Sequence, residues 1–184
     1  MMKSIMAAGC LAFMLLPAAH AQIIVGGEGD GHACYMSAKT GDTGRTSSIR
    51  VCERALSEGN LFGIDRAATH VNMGILLMRR ESFTQALSSF DNAINIEPTL
   101  SEAYLNRGAC LVYLERHQDA VEALTKSIDL DTDFIAEALY NRALAYEPLE
   151  KLNLAYADLQ RAKALRPDWD VLNKTLGRYQ VVPN

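Results

Sequence analysis

Histidine, cysteine and paired acids are the residue types through which this 184-residue chain could do chemistry, and their spacing argues against most of it. His70 and His117 stand far apart and show no metal-ligand spacing to one another, and His32 lies in a Gly-rich stretch near the N-terminus. The stretch DLDTDF, from Asp129 to Phe134, opens with acids at alternate positions, as a calcium loop does. The sixth position, which needs Gly, is Phe134, and the twelfth, which needs a bidentate Glu, is Tyr140, so the stretch reads as an acidic turn. IIVGGEGDGH (residues 23–32) has Gly27, Gly29 and Gly31 at alternate positions but no Gly at the last position of a phosphate loop. No second strand follows it, and it reads as a linker. Without a His–acid or Cys–His pair, no catalytic residue, metal site or cofactor is assigned, and the chain is read as a non-enzyme.

IVGG (residues 24–27) copies the mature start of trypsin-like proteases, and GDTGR (residues 41–45) faintly copies their nucleophile loop. Thr43 stands where the nucleophilic Ser belongs, and the helical remainder of the chain offers no scaffold for a triad.

The chemistry that survives is repeated. Asn72-Met73-Gly74, Asn106-Arg107-Gly108 and Asn141-Arg142-Ala143 place an Asn, a long residue and a small one at intervals of 34 and 35 residues. Aligned on the triplets, further columns fall into place. An Ala recurs at Ala86, Ala120 and Ala155, a large apolar residue at Phe90, Leu124 and Leu159, and a small one at Ala93, Ser127 and Ala162. Pro98 and Pro167 close the first and third units, where the second has Thr132. The helical spacing of Ala86, Leu87, Phe90, Ala93 and Ile94 predicts that each unit is a pair of antiparallel helices. Ser82 and Gln85 offer a capping box for the second helix. Small residues let the backbones approach, and stacking buries the apolar face that one unit leaves bare.

These columns resemble the tetratricopeptide repeat, with its 34-residue period and its pattern of small residue, Ala, aromatic, Ala and Pro. The resemblance implies an all-α fold, a right-handed α-solenoid of three helix pairs at residues 67–100, 101–134 and 136–169. Ile135 is an extra residue between the last two pairs. Ile49, Cys52, Ala55 and Leu56 suggest an N-terminal capping half-repeat at residues 46–66. Leu172, Leu176 and Tyr179 suggest a capping helix and tail at residues 170–184.

The resemblance also implies a concave groove lined by the first helix of each pair. The groove columns supply Val71, Asn72, Ile75, Met78 and Arg79 in the first unit. The second supplies Glu102, Leu105, Asn106, Ala109, Val112 and Tyr113, and the third Glu137, Tyr140, Asn141, Leu144 and Glu147. Asn72, Asn106 and Asn141 form a ladder of side-chain amides, each able to donate to and accept from a peptide backbone without reading its side chains. The same Asn residues could instead bond between neighbouring helices. Lys and Arg are missing from the positions of Val71 and Glu137, which argues against a clamp for a carboxylate terminus.

Residues 1–21 have an early Lys3, an apolar run, Pro17 and the triplet Ala19-His20-Ala21, the layout of a cleavable signal peptide. The expected product is exported, periplasmic or secreted. Its charge, −4 for the whole chain, and its lack of like-charge runs give no sign of nucleic-acid binding. Six of the twelve glycines fall within residues 22–45, a composition read as an arm too flexible to pack alone. Once Cys10 is removed with the leader, Cys34, Cys52 and Cys110 allow three pairings, or three reduced thiols if export fails. Cys34–Cys52 is the expected bridge, because Cys110 falls inside a helix of the array. The functional reading is an exported adaptor that binds a partner protein or extended peptide in its groove, with no stable membrane insertion. The alternative is a self-associating structural protein of the cell envelope.

Overall fold

The computed structural model of the protein describes residues 4–7, 22–25, 29–40, 46–58 and 60–182. The described residues form nine helices: α1 (Asp30–Lys39), α2 (Thr46–Ser57), α3 (Gly63–Arg79), α4 (Phe83–Ile96), α5 (Ser101–Tyr113), α6 (His117–Asp129), α7 (Ile135–Tyr146), α8 (Leu152–Leu165) and α9 (Asp170–Leu176). Helices α3 and α4, α5 and α6, and α7 and α8 are the three repeated pairs, and each pair packs on the next through α4 on α5 and α6 on α7.

The columns now have physical content. A Cβ on Gly74 would lie 2.4 Å from Phe90 Cε1, and one on Gly108 would lie 2.4 Å from Leu124 Cγ. The small residue therefore admits the large side chain of the partner helix. Phe90, Leu124 and Leu159 are all fully buried.

The turns inside the pairs share a device. Glu81, Glu115 and Glu150 each follow a first helix and adopt φ near 57°, the left-handed region. Around them Ser82, Arg116 and Lys151 donate their backbone N–H to Leu77, Leu111 and Tyr146, while Glu81, Glu115 and Glu150 donate to Met78, Val112 and Glu147. Those paired bonds form a Schellman motif, which satisfies the last carbonyls of the helix. The expected capping box does not form: Ser82 stands at the start of α4 without a side-chain cap bond. Its backbone, at ψ 56°, is tied into the preceding turn and is not extended as a cap requires.

The N-terminal cap differs from expectation, and the C-terminal capping helix forms as α9 but does not include Tyr179. The N-terminal cap is a helix pair and not a half-repeat, because α1 forms inside the segment read as a flexible arm and packs on both α2 and α3. Cys34 and Cys52 are bonded to each other across this pair, and both are fully buried. At the other end α9 stops at Leu176, and Tyr179 lies on a strand, β2 (Tyr179–Val182). This strand pairs antiparallel with β1 (Ser4–Ala7), in the register Ser4↔Val182 to Ala7↔Tyr179. Apart from residues 4–7, the expected leader at 1–21 lies outside the described residues. No helix among the described residues is long and apolar enough to cross a membrane.

Candidate functional site

The face on which the Asn ladder sits follows from the layering. First helices touch one another along the array, α3 against α5 and α5 against α7, whereas second helices share no comparable contact. A stack packed on one layer and spread on the other bends toward the packed layer, so the first helices form the inner face.

The three Asn residues occupy one column of this face, and all are buried. Their bonding differs. Asn72 Oδ1 accepts the backbone N–H of Ile23 at 3.3 Å, and Asn72 Nδ2 donates to the carbonyl of Ile23 at 2.8 Å. One side-chain amide therefore pairs in both directions with one backbone residue of an irregular segment outside the repeats. Asn106 Nδ2 donates within its own helix to the Glu102 carbonyl at 2.9 Å. Asn141 is 1% exposed, and its Nδ2 has no hydrogen-bond partner among the described residues. A buried amide donor left in that state costs about 1–3 kcal/mol.

The apolar residues assigned to the groove are placed otherwise than expected. Val71 and Ile75 are fully buried in a cluster with Leu76 and Phe90, and Leu105 in a cluster with Leu111 and Leu124. They hold helices together and present no side-chain surface. Tyr113 stacks on Phe83 at 4.8 Å between ring centroids. Leu144 packs partly buried against the cluster that contains Tyr140, Leu159 and Leu172.

The C-terminal cap closes the third unit. The Tyr140 and Thr175 hydroxyls lie 3.3 Å apart in hydrogen-bond contact, and the Glu147 carboxylate accepts from Tyr179 Oη at 2.6 Å and from Arg178 at 3.0 Å. Burial raises the pKa of the Tyr140 phenol. Burial and then the bond to Glu147 do the same, more strongly, for Tyr179. Both therefore remain neutral hydrogen-bonding groups at physiological pH.

The bases of this region are spoken for. Arg107 reaches Asp91 of the preceding unit at 2.7 Å. Arg142 grips Asp158 with two bonds, at 2.7 and 2.9 Å, and Thr125 with a third. Glu137 accepts from Arg166. This arrangement leaves no cationic clamp at Arg107 or Arg142 for an anionic peptide end.

Groups that could have imitated catalysis are quiet. The Cys110 thiol is pushed up to about 12 by burial and then by Asp91, and it donates to the Phe83 carbonyl, so it is a packed thiol. His70 is pushed down to about 4 by burial and by Arg66, and its Nδ1 is buried without a partner among the described residues. His32, read as part of an unpacked arm, lies on α1 with Nδ1 3.2 Å from the Val25 carbonyl, which requires that nitrogen to carry the proton. Among the described residues no group of three or more His, Cys, Asp or Glu could hold a metal ion.

Residues 22–25 belong to the site although they lie in a segment whose composition is that of a linker. Ile23, Ile24 and Val25 are three β-branched residues in a row, the one sequence signal there for extended backbone.

Comparison with known proteins agrees with this geometry. Family models described as tetratricopeptide repeat match residues 65–133 and 136–168, together more than half of the chain. Protein unc-45 homolog B of Danio rerio is 35% identical over 99 residues, which is 51% of this chain and 10% of that protein. A DnaJ homolog subfamily C member 3 homolog of Dictyostelium discoideum is 29% identical over 108 residues, 56% of this chain and 21% of its own length. The chain thus spans only a small part of these relatives. Among solved structures, MamA superposes with a TM-score of 0.66 at 21% identity, covering 78% of this chain and 80% of that one. The first TPR of Spaghetti (RPAP3), bound to an HSP90 peptide, gives 0.60 at 18% identity, covering 65% and 94%. YrrB, described as a TPR protein with an unusual peptide-binding site, gives 0.63 at 20% identity, covering 78% and 73%.

Proposed function

This chain belongs to the tetratricopeptide-repeat family, and from that premise we propose that it is an exported adaptor holding an extended segment of a partner protein along its inner face. The observation that carries the reading is the two-way pairing of Asn72 with Ile23. It is the contact an amide ladder would make with a bound peptide, made here by the chain's own backbone. Asn141, buried with a free Nδ2 donor among the described residues, is the rung where a partner's carbonyl would gain most. Neighbours of the same fold carry HSP90 and HSP70 peptides, which supports a peptide partner. The contacts available are backbone-directed, so affinity would depend more on an extended conformation than on a charged terminus.

The exported half of the reading rests on the leader-like residues 1–21 and on the Cys34–Cys52 bond, a linkage that persists in oxidising compartments. N-terminal sequencing of protein recovered from a bacterial envelope should begin at Gln22. An intact Met1 would remove this half.

The adaptor half is tested by selecting peptides from a displayed library and titrating them calorimetrically. The expected result is that Asn141→Ala, folded by circular dichroism, binds about tenfold more weakly than the parent. Equal affinities would assign Asn141 to the scaffold. The self-association alternative draws on Phe62, Ile64 and Ile24, which are 78%, 56% and 69% exposed. Light scattering that returns one mass across concentrations would dismiss it.

A further inference from the structure

We propose that residues 22–25 are an intramolecular occupant of the first Asn rung, which an extended ligand must displace before it can engage the whole ladder. The inference rests on the reading that the ladder takes extended backbone, and adds a contact that competes with the ligand from within the chain.

Three observations build the seat. Ile23 gives Asn72 both its N–H and its carbonyl, and so occupies the place beside the rung where the backbone of a ligand would lie. Two residues on, Val25 is fully buried against Tyr35 and Ala68, with Leu61 beside it. Gly31 makes room: a Cβ there would come within 3.0 Å of Val25 Cγ1 and 3.3 Å of Leu61 Cδ2. Ile24, between the two seated residues, is 69% exposed. The segment alternates inward and outward as a strand does, so the seat reads apolar β-branched side chains two positions apart. That alternation defines the ligand class that would replace it.

The seat is built to be left. Its gains are one amide pair, one buried Val, the partly buried side chain of Ile23 and the His32 contact to the Val25 carbonyl. Ordering four backbone residues costs free energy of the same order. What tips the balance is tethering. Residue 30 begins α1, and α1 is fixed to α2 by Cys34–Cys52 and by the Asp30–Arg54 ion pair, so the segment competes at a high effective concentration. A ligand free in solution has to overcome that advantage, and its apparent affinity falls by the fraction of molecules with the seat open.

Two measurements on the full chain test the proposal. In the first, amide exchange at Ile23 should be slowed at least tenfold relative to an unstructured peptide, and Asn72→Ala should remove the slowing. An unprotected Ile23 in the parent would overturn the proposal. In the second, a labelled, end-blocked Gln-Ile-Ile-Val peptide is titrated by fluorescence anisotropy. It should bind the Ile23→Pro/Val25→Ser variant about tenfold more tightly than the parent, and adding Asn72→Ala should abolish binding. Equal affinity for parent and variant, or no binding to the variant, would show a permanent piece of the core and end the proposal. Ile23→Pro alone, which removes the N–H and the Ile side chain but keeps Val25 in place, serves if the double variant fails to fold. The tests are separable: peptides that depend on Asn141 but gain nothing from the arm variant would remove the latch and leave the adaptor standing.

Discussion

Arg142 and Asp158 illustrate how little of a side chain's role its column reveals. Arg142 sits beside the ladder residue Asn141, but it points into the helix pair and is 13% exposed, with Asp158 at 6%. Burial works against the guanidinium charge, yet the bonds and charge of Asp158 outweigh it and the pKa of Arg142 rises. Truncating one partner of such a pair leaves a buried charge behind. Asp158→Ala should therefore cost about 3 kcal/mol in urea unfolding, whereas Arg142→Met with Asp158→Leu should recover most of that loss. A double variant as unstable as the single one would mean that the pair contributes through geometry that apolar packing cannot replace. Gly74 and Gly108 are the opposite case. Their identity was readable in the sequence, and the distance to Phe90 or Leu124 explains it directly.

At the scale of elements, the three helix pairs were legible because small and large residues recur at one period and each column has a single packing job. The turns were less so. Glu81, Glu115 and Glu150 share a column in plain view, but acidic residues on a turn look like ordinary surface, and a left-handed backbone is announced only by Gly or Asn. A non-glycine residue there carries a steric penalty that a glycine would not. Glu115→Gly should raise the unfolding free energy by about 0.5–1 kcal/mol, read as a higher urea midpoint with an unchanged slope. Helix α1 was hidden for another reason. Its sequence, DGHACYMSAK, contains Gly and lies in a Gly-rich stretch, and what fixes it is the covalent bond and the ion pair to α2, contacts remote in sequence. Likewise, the spacing of Leu172, Leu176 and Tyr179 continues a helix, but the chain leaves it at Gly177 and seats Tyr179 on Glu147 from a strand. The shared column of Asn72, Asn106 and Asn141 was readable as a repeat position, but not the burial of their side chains. The burial of Val71, Ile75 and Leu105 was not readable either, because groove and core columns both take apolar side chains.

For the molecule as a whole, each unit packs within itself and on its immediate neighbours, so stability is a sum of local terms. Replacing both Cys34 and Cys52 with Ser should speed amide exchange in α1 and α2, at a local cost of about 3 kcal/mol, and leave α7 and α8 unchanged. Equal acceleration along the array would show one cooperative block. The layering also has a mechanical meaning. First helices in contact beneath second helices that stand apart make a strip with one stiff face and one compliant face. Further bending is resisted at once by the inner face, while stretching opens it and separates the rungs at Asn72, Asn106 and Asn141. If a partner is held along those rungs as proposed, pulling on both of its ends would loosen its own attachment, and binding would weaken under tension.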